Sequence, residues 1–102
     1  MKATDQEKRY RKELFKAVGA YLSERRENAG LTQSAIAKSS GYSSQFISNI
    51  ECGSAFPPAP LLTRMIEEYG ISQDEFLEFL MSTQMDYYRN VYFPKTRARK
   101  RG

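Results

Sequence analysis

The chain has 102 residues, of which 40% are hydrophobic and 27% charged, and a formal net charge of +4, which together indicate one globular domain with an anionic partner. It contains no histidine and a single cysteine, Cys52, so it lacks the usual ligand sets for a metal ion, the usual base of a Ser-His or Cys-His nucleophile and the second thiol of an internal disulfide. We expect no catalytic residue, no metal site and no cofactor, and because no apolar run approaches the roughly 18 residues of a membrane span, we expect a cytoplasmic protein without a membrane partner.

The first predicted element is a long helix over residues 6–28. Its apolar side chains recur with the spacing of one helical face, at Tyr10, Leu14, Val18 and Leu22. We expect the helix to end at Asn28-Ala29-Gly30, because Asn and Gly favour the left-handed conformation that commonly follows a helix.

Two short helices are predicted next. The second helix begins after Thr32 as N-cap and ends at Gly41, which can adopt the positive φ of a tight turn. The third helix begins after Ser43 as N-cap and runs to about residue 51, with Ile47 and Ile50 facing inward.

A proline-rich connector at residues 56–60 precedes the fourth helix, and the fifth helix comes next. The fourth is predicted to bury one face, consisting of Leu62, Met65, Ile66 and Tyr69. The fifth is predicted to begin at residue 72, where Ser72 and Glu75 have the spacing of a capping box.

The sequence changes character after residue 86. Residues 87–93 contain four aromatic side chains and a valine, a composition typical of a strand, although continuation of the fifth helix is an open alternative. This segment is too apolar to stay exposed, and it covers either the domain's own core or a partner subunit, of which we favour the partner. The predicted organisation is a helical domain over 1–86, an aromatic extension over 87–94 and a basic flexible tail over 95–102.

Two short helices joined by a tight glycine-containing turn are typical of a helix-turn-helix, here at about residues 32–51. A larger pattern of residues at fixed spacings extends over residues 18–77. It consists of Val18-Gly19, Leu22, Arg26-Glu27, Gly30-Leu31-Thr32-Gln33, Ala37, Gly41-Tyr42-Ser43, Ile47-Ser48, Ile50-Glu51, Gly53, Pro57, Leu62, Ile66, Gly70-Ile71-Ser72 and Asp74-Glu75-Phe76. The combination resembles the XRE-like helix-turn-helix regulators typified by phage repressors and Cro. The resemblance implies an all-α, five-helix repressor-like domain.

The resemblance also implies that the third helix enters the major groove of DNA while the second crosses the backbone, with Gln33 bonding a phosphate. Palindromic sites are read by two-fold dimers, so we expect a homodimer that uses Tyr87, Tyr88, Val91, Tyr92 and Phe93. The candidate DNA-binding residues are Thr32, Gln33, Ser43, Ser44, Gln45, Phe46, Ser48 and Asn49.

The third helix carries uncharged reading groups. Gln45 and Asn49 can pair with adenine, and the serines can bond several base edges or phosphates. Phe46 either contacts a thymine methyl group or fills the core. The composition of this helix therefore favours contacts to A·T base pairs.

The resemblance implies that Arg26 and Glu51 form an ion pair that connects the first helix to the third. The alternative is that they are two unrelated surface charges. Arg25 stands where the family usually has an aliphatic residue, and its side chain either extends past the core or reaches a phosphate. Cys52 is expected to be inert.

The positive charge is concentrated at the two ends of the chain. Residues 1–16 carry six basic and three acidic side chains and residues 95–102 carry five basic and no acidic ones, whereas residues 31–53 contain only Lys38 and Glu51 as charges. Electrostatic affinity for DNA must therefore come from outside the reading helix. The basic tail is either a solvated end or an arm that orders on DNA.

The function expected from these observations is a DNA-binding transcriptional regulator, a repressor that binds a palindromic operator as a homodimer, without enzymatic activity. One alternative is an antitoxin that binds both an operator and a toxin. Another is a protein-interaction adaptor that has lost DNA binding, which the near-neutral recognition helix makes conceivable.

Overall fold

The computed structural model describes residues 4–93, which form five α-helices and no strand. The helices are α1 (Asp5–Asn28), α2 (Gln33–Ser40), α3 (Ser44–Glu51), α4 (Ala59–Glu68) and α5 (Gln73–Tyr92). The predicted all-α fold is confirmed. None of the described helices is long and apolar enough to cross a membrane. The predicted basic tail, residues 95–102, lies outside the described residues.

A capping box fixes the start of α1. The Thr4 hydroxyl oxygen accepts a hydrogen bond from the Glu7 backbone N–H at 3.0 Å, and the Glu7 carboxylate accepts one from the Thr4 N–H at 2.9 Å. This reciprocal pair satisfies two of the backbone donors that a helix start leaves free. The first turns of α1 are mostly exposed, and its buried residues all lie from Val18 onward.

One hydrophobic core joins the five helices. α1 packs against α3 and α5, and α2 packs against α3 and α4, so that α3 is held from two sides. The core consists of Val18, Leu22, Ile36, Ile47, Ile50, Leu61, Met65, Tyr69, Ile71 and Phe76.

The buried face of α4 differs from the predicted one. Leu61 and Met65 are fully buried, whereas Leu62 and Ile66 are only partly buried at the edge of the core. Leu61 and Leu62 are adjacent, and a helix carries them to directions about 100° apart. The spacing of apolar residues alone could not decide which of the two faces the core.

α5 continues through the aromatic segment. The helix runs without interruption to Tyr92, so residues 87–92 form helix rather than strand, and the predicted boundary between 86 and 87 falls inside α5. Tyr87 stacks on Tyr10 of α1, and the Tyr10 hydroxyl donates to the backbone carbonyl of Thr83 at 3.3 Å. These contacts with α1 extend the helical packing past the core.

Gly19 allows α1 to approach the end of α3 closely. A Cβ atom at this position would lie 2.7 Å from the carbonyl oxygen of Glu51 and would overlap that of Ile50. Both neighbouring atoms belong to backbone and cannot rotate away. The position therefore requires glycine, although glycine lowers helix propensity.

We predict that Gly19→Ala lowers the free energy of unfolding by about 2 kcal/mol or more, because the steric overlap outweighs the roughly 1 kcal/mol that alanine gains in helix propensity. Urea unfolding measures the change. Ala20→Gly, at the exposed neighbouring position, is the control and should show the propensity loss alone. An increase in stability for Gly19→Ala would contradict the close approach.

Candidate nucleic-acid interface

A capping hydroxyl begins each of α2 and α3, and a glycine ends α2 at the turn between them. Gly41 has φ of 83° and its N–H donates to the Ala37 carbonyl at 2.9 Å, which ends α2. The Thr32 and Ser43 hydroxyl oxygens accept from the N–H groups of Ala35 and Phe46, each at 3.0 Å. Because each cap bond uses the oxygen as acceptor, both hydroxyl hydrogens stay available to donate to a phosphate.

The two faces of α3 differ in chemistry. Ile47 and Ile50 are fully buried, whereas Ser44 and Gln45 are exposed. Ser48 is half-buried on the same short helix. The third helix therefore presents hydroxyl and amide groups on the side opposite the core.

Gln45 and Asn49 form an ordered pair of amides. The Gln45 Nε2 donates to the Asn49 Oδ1 at 3.0 Å, one helical turn away. This bond leaves the Gln45 carbonyl oxygen, one Gln45 N–H and the Asn49 amide N–H groups without a partner in the pair. The pair therefore offers both donors and an acceptor side by side, which the edge of adenine requires.

Phe46 lies at the edge of the core. It is partly buried, packs against the core residues and meets the Tyr42 ring at a centroid distance of 5.6 Å. This packing fits the alternative in which Phe46 fills the core, although the residue is only partly buried.

A buried ion pair connects α1 with the end of α3. The Arg26 Nε donates to Glu51 Oε2 at 2.7 Å and the Arg26 Nη2 donates to Oε1 at 3.1 Å, a bidentate arrangement. The side chains are only 10% and 6% exposed. The third Arg26 bond, from Nη1 to the Leu31 carbonyl, measures 2.6 Å. The hydrogen bonds to Glu51 raise the pKa of Arg26, so the guanidinium stays charged.

Gln33 joins this pair. Its Nε2 donates to Glu51 Oε1 at 2.9 Å, and the side chain is half-buried. The predicted phosphate ligand is therefore positioned by Glu51, while its carbonyl oxygen and second N–H stay available. The sequence did not connect Gln33 with the ion pair, because a contact across 18 residues has no local signal.

Tyr69 adds a neutral group beside the pair. Burial raises the pKa of the Tyr69 phenol, and the negative charge of Glu51 raises it further. Within residues 4–93 its buried hydroxyl has no hydrogen-bond partner. The phenol is therefore uncharged at neutral pH, and it does not compete with Glu51 for the positive charge of Arg26.

Lys16 brings a cation to the end of α3. Lys16 is exposed, and a Cβ atom at Gly53 would lie 2.7 Å from the Lys16 Cγ. The residue therefore packs directly beside the loop that follows α3. No sequence pattern distinguishes Lys16 from the other basic residues of the predicted basic N-terminal stretch.

Arg25 and Glu75 form an ion pair at 2.6 Å, and the Arg25 guanidinium lies 5.6 Å from the centre of the Tyr21 ring. Arg25 therefore connects α1 to the start of α5. The predicted capping box at this point is only half formed: Ser72 accepts from the Glu75 N–H at 3.0 Å, but the Glu75 carboxylate bonds Arg25 instead of the Ser72 N–H.

Within residues 4–93, no three Cys, Asp or Glu side chains lie close enough together to hold a metal ion. Cys52 is exposed, and its Sγ lies 3.4 Å from the Asn49 carbonyl oxygen and 3.3 Å from the Ser54 hydroxyl.

Comparison with known proteins identifies the same unit. Residues 17–79 match the family model described as a helix-turn-helix domain, which is more than half of the chain. The match includes α2, α3 and α4 entirely, together with the parts of α1 and α5 that form the core. No curated protein and no solved structure matches the chain.

We predict that Arg26→Met and Glu51→Leu each lower the free energy of unfolding by about 3 kcal/mol or more, since each leaves an uncompensated buried charge. The double variant should lose clearly less than the sum of the two, because it buries no charge. Urea unfolding of the four proteins of this cycle measures the coupling.

The exposed pair Arg89–Asp86, at 2.9 Å, provides the control. Its own cycle should show a coupling of less than about 1 kcal/mol. Additive losses for Arg26 and Glu51 would show that the buried pair does not act as a unit.

Proposed function

The chain belongs to the helix-turn-helix domain family, and on that premise we propose that it is a sequence-specific DNA-binding regulator of transcription. In this proposal it acts in the cytoplasm as a homodimer, represses by occupying a palindromic operator so that polymerase is excluded, and has no enzymatic activity. A two-fold dimer presents two recognition helices about 34 Å apart, one turn of DNA, so its symmetry matches a palindrome.

The observation that carries the proposal is the polar face of α3. The amides of Gln45 and Asn49 are held together at 3.0 Å and lie on the side of the helix away from Ile47 and Ile50. Amide groups can bond adenine at N6 and N7 in the major groove. The hydroxyls of Thr32 and Ser43 at the starts of α2 and α3, and the amide of Gln33, which is bonded to Glu51, can fix the protein on the phosphates.

Affinity in this proposal comes from cations that lie outside α3 in the sequence. Lys16 lies beside Gly53 at the C-terminal end of the recognition helix, and residues 95–102 add five basic side chains. Each cation that neutralises a phosphate releases counterions and adds affinity for DNA of any sequence. The proposal thus assigns the recognition of bases and the neutralisation of phosphates to different residues.

Selection of bound sites from random DNA tests the proposal, and a palindrome with A·T pairs in each half-site is the expected result. On the selected operator, Gln45→Ala should weaken binding by about 1–3 kcal/mol and leave binding to unrelated DNA almost unchanged. Titration of both DNAs with each protein measures the two affinities.

Gln73→Ala is the matched control, because Gln73 is an exposed glutamine at the start of α5, remote in the chain from α3. It should leave both affinities unchanged. Equal losses on operator and unrelated DNA for Gln45→Ala would show that Gln45 does not read a base. Failure to select any site would count against the proposed function itself.

The cationic contribution is tested by the salt dependence of binding. We predict that Lys16→Gln weakens binding to all DNA and reduces the slope of log K against log salt by about one unit, and that removal of residues 95–102 reduces it by about one unit for each phosphate that the tail neutralises. Arg89→Gln is the control, since Asp86 already neutralises Arg89 at 2.9 Å. An unchanged slope for both changes would assign the affinity to other residues.

A further inference from the structure

A stripe of exposed apolar side chains runs along α5. Its members follow one another at intervals of four, four, three and four residues, which places them on one face of the helix. We call this set the α5 stripe; it consists of Leu77, Met81, Met85, Tyr88 and Tyr92, which are 50%, 63%, 55%, 50% and 66% exposed. Phe93, 66% exposed, directly follows it.

The α5 stripe is separate from the face of α5 that holds the fold together. Phe76 is buried in the core, Phe79 and Leu80 pack against it, and Tyr87 stacks on Tyr10 of α1. Val91 is half-buried and lines the groove between α1 and α5. Of the predicted dimerisation residues, Tyr87 and Val91 therefore contact their own chain, whereas Tyr88, Tyr92 and Phe93 face outward.

We propose that the α5 stripe is the dimer interface, and that it pairs antiparallel with the α5 stripe of a second copy of the chain. The inference rests on the proposed function, because it names the surface and the geometry by which the homodimer forms. Contiguous apolar surface of this kind on a small protein marks an interaction site.

The stripe is self-complementary in the antiparallel direction. If the two-fold axis passes between Gln84 and Met85, Leu77 lies opposite the partner's Tyr92 and Met81 lies opposite the partner's Tyr88. Each tyrosine ring then meets a leucine or a thioether, and thioethers make favourable contacts with aromatic rings. An isologous interface requires this matching of one surface with itself.

The charges of α5 favour the antiparallel direction over the parallel one. Its first two turns carry Asp74 and Glu78, besides Glu75, which is paired with Arg25, whereas Asp86 and Arg89 near its other end neutralise each other. A parallel pair would place the acidic turns against their own copies, and the repulsion would destabilise it. An antiparallel pair keeps the two acidic ends apart and places each beside a neutral part of the partner helix.

The exposed area is sufficient for such a dimer. Six large apolar side chains, each at least half exposed, offer on the order of 100 Å² apiece, so that two copies bury on the order of 1,000 Å², the lower limit for a specific interface. The chain's own residues 95–102 cannot replace the second copy, because Ala98 is their single apolar side chain.

Sedimentation of the full chain tests the interface. The wild-type chain should be a dimer, and Met81→Asp should be a monomer of unchanged helicity, because Met81 is exposed within one chain and a charge there is buried only on pairing. Ser82→Asp adds the same charge at the exposed neighbouring position off the stripe and should remain a dimer. A monomeric wild-type chain, or a dimeric Met81→Asp, would overturn the proposal.

Cysteine cross-linking in a Cys52→Ser background tests the direction. Met85→Cys should form a disulfide between copies, because residue 85 lies at the two-fold axis. Leu77→Cys alone should not, since the two copies of residue 77 would be about 20 Å apart, whereas a mixture of Leu77→Cys and Tyr92→Cys should cross-link. A Leu77→Cys homodimer would overturn the antiparallel direction.

Operator binding separates failure of the interface from failure of the proposed function. Met81→Asp should bind the palindrome at least about tenfold more weakly while binding unrelated DNA as before, because its two half-sites are no longer occupied as one unit. A wild-type chain that binds a selected site as a monomer would refute the α5 interface and leave DNA reading intact. A dimer that selects no site would refute DNA reading and leave the interface intact.

Discussion

The position of α3, the helix proposed to read DNA, depends on one buried ion pair. α3 has eight residues, too few for a stable helix in isolation, and it ends in a glutamate, whose charge is unfavourable beside the negative end of the helix dipole. Arg26 compensates that charge with two hydrogen bonds, and Gln33 adds a third. The ends of α1, α2 and α3 therefore meet at a single carboxylate, which fixes the direction in which α3 presents its polar face.

This arrangement separates two electrostatic tasks. Glu51 and Arg26 neutralise each other inside the protein, and the outward face of α3 carries only amides and hydroxyls. The cations lie at the periphery, as Lys16 beside Gly53 shows. A neutral reading face has little attraction for phosphates, so it gains affinity only where its hydrogen bonds match the bases. In the proposed function, specificity therefore comes from hydrogen bonds between the bases and the uncharged outward side chains of α3.

Local chemistry explains which features could be predicted from the sequence. Thr32, Gly41 and Ser43 act through bonds to residues at most four positions away, so the local sequence contains everything that forms the two helix starts and the turn between them. Interactions between distant segments have no such local signal. The bond from Gln33 to Glu51, the ion pair between Arg25 and Glu75 and the choice of Leu61 over Leu62 are all decided by packing between helices, which one sequence does not reveal.

The aromatic segment shows how packing overrides local preference. Residues 87–92 have strand-like composition, yet they continue α5 as helix, and Tyr87 stacks on Tyr10 of α1. In a strand, Tyr87 and Tyr88 would point to opposite faces of one sheet. In the helix, Tyr87 lies on the face that packs against α1, and Tyr88 belongs to the α5 stripe. Both faces belong to one helix, α5. Pairing through the α5 stripe would therefore also fix α1 relative to the second copy, and with α1 the end of α3 that Arg26 holds through Glu51.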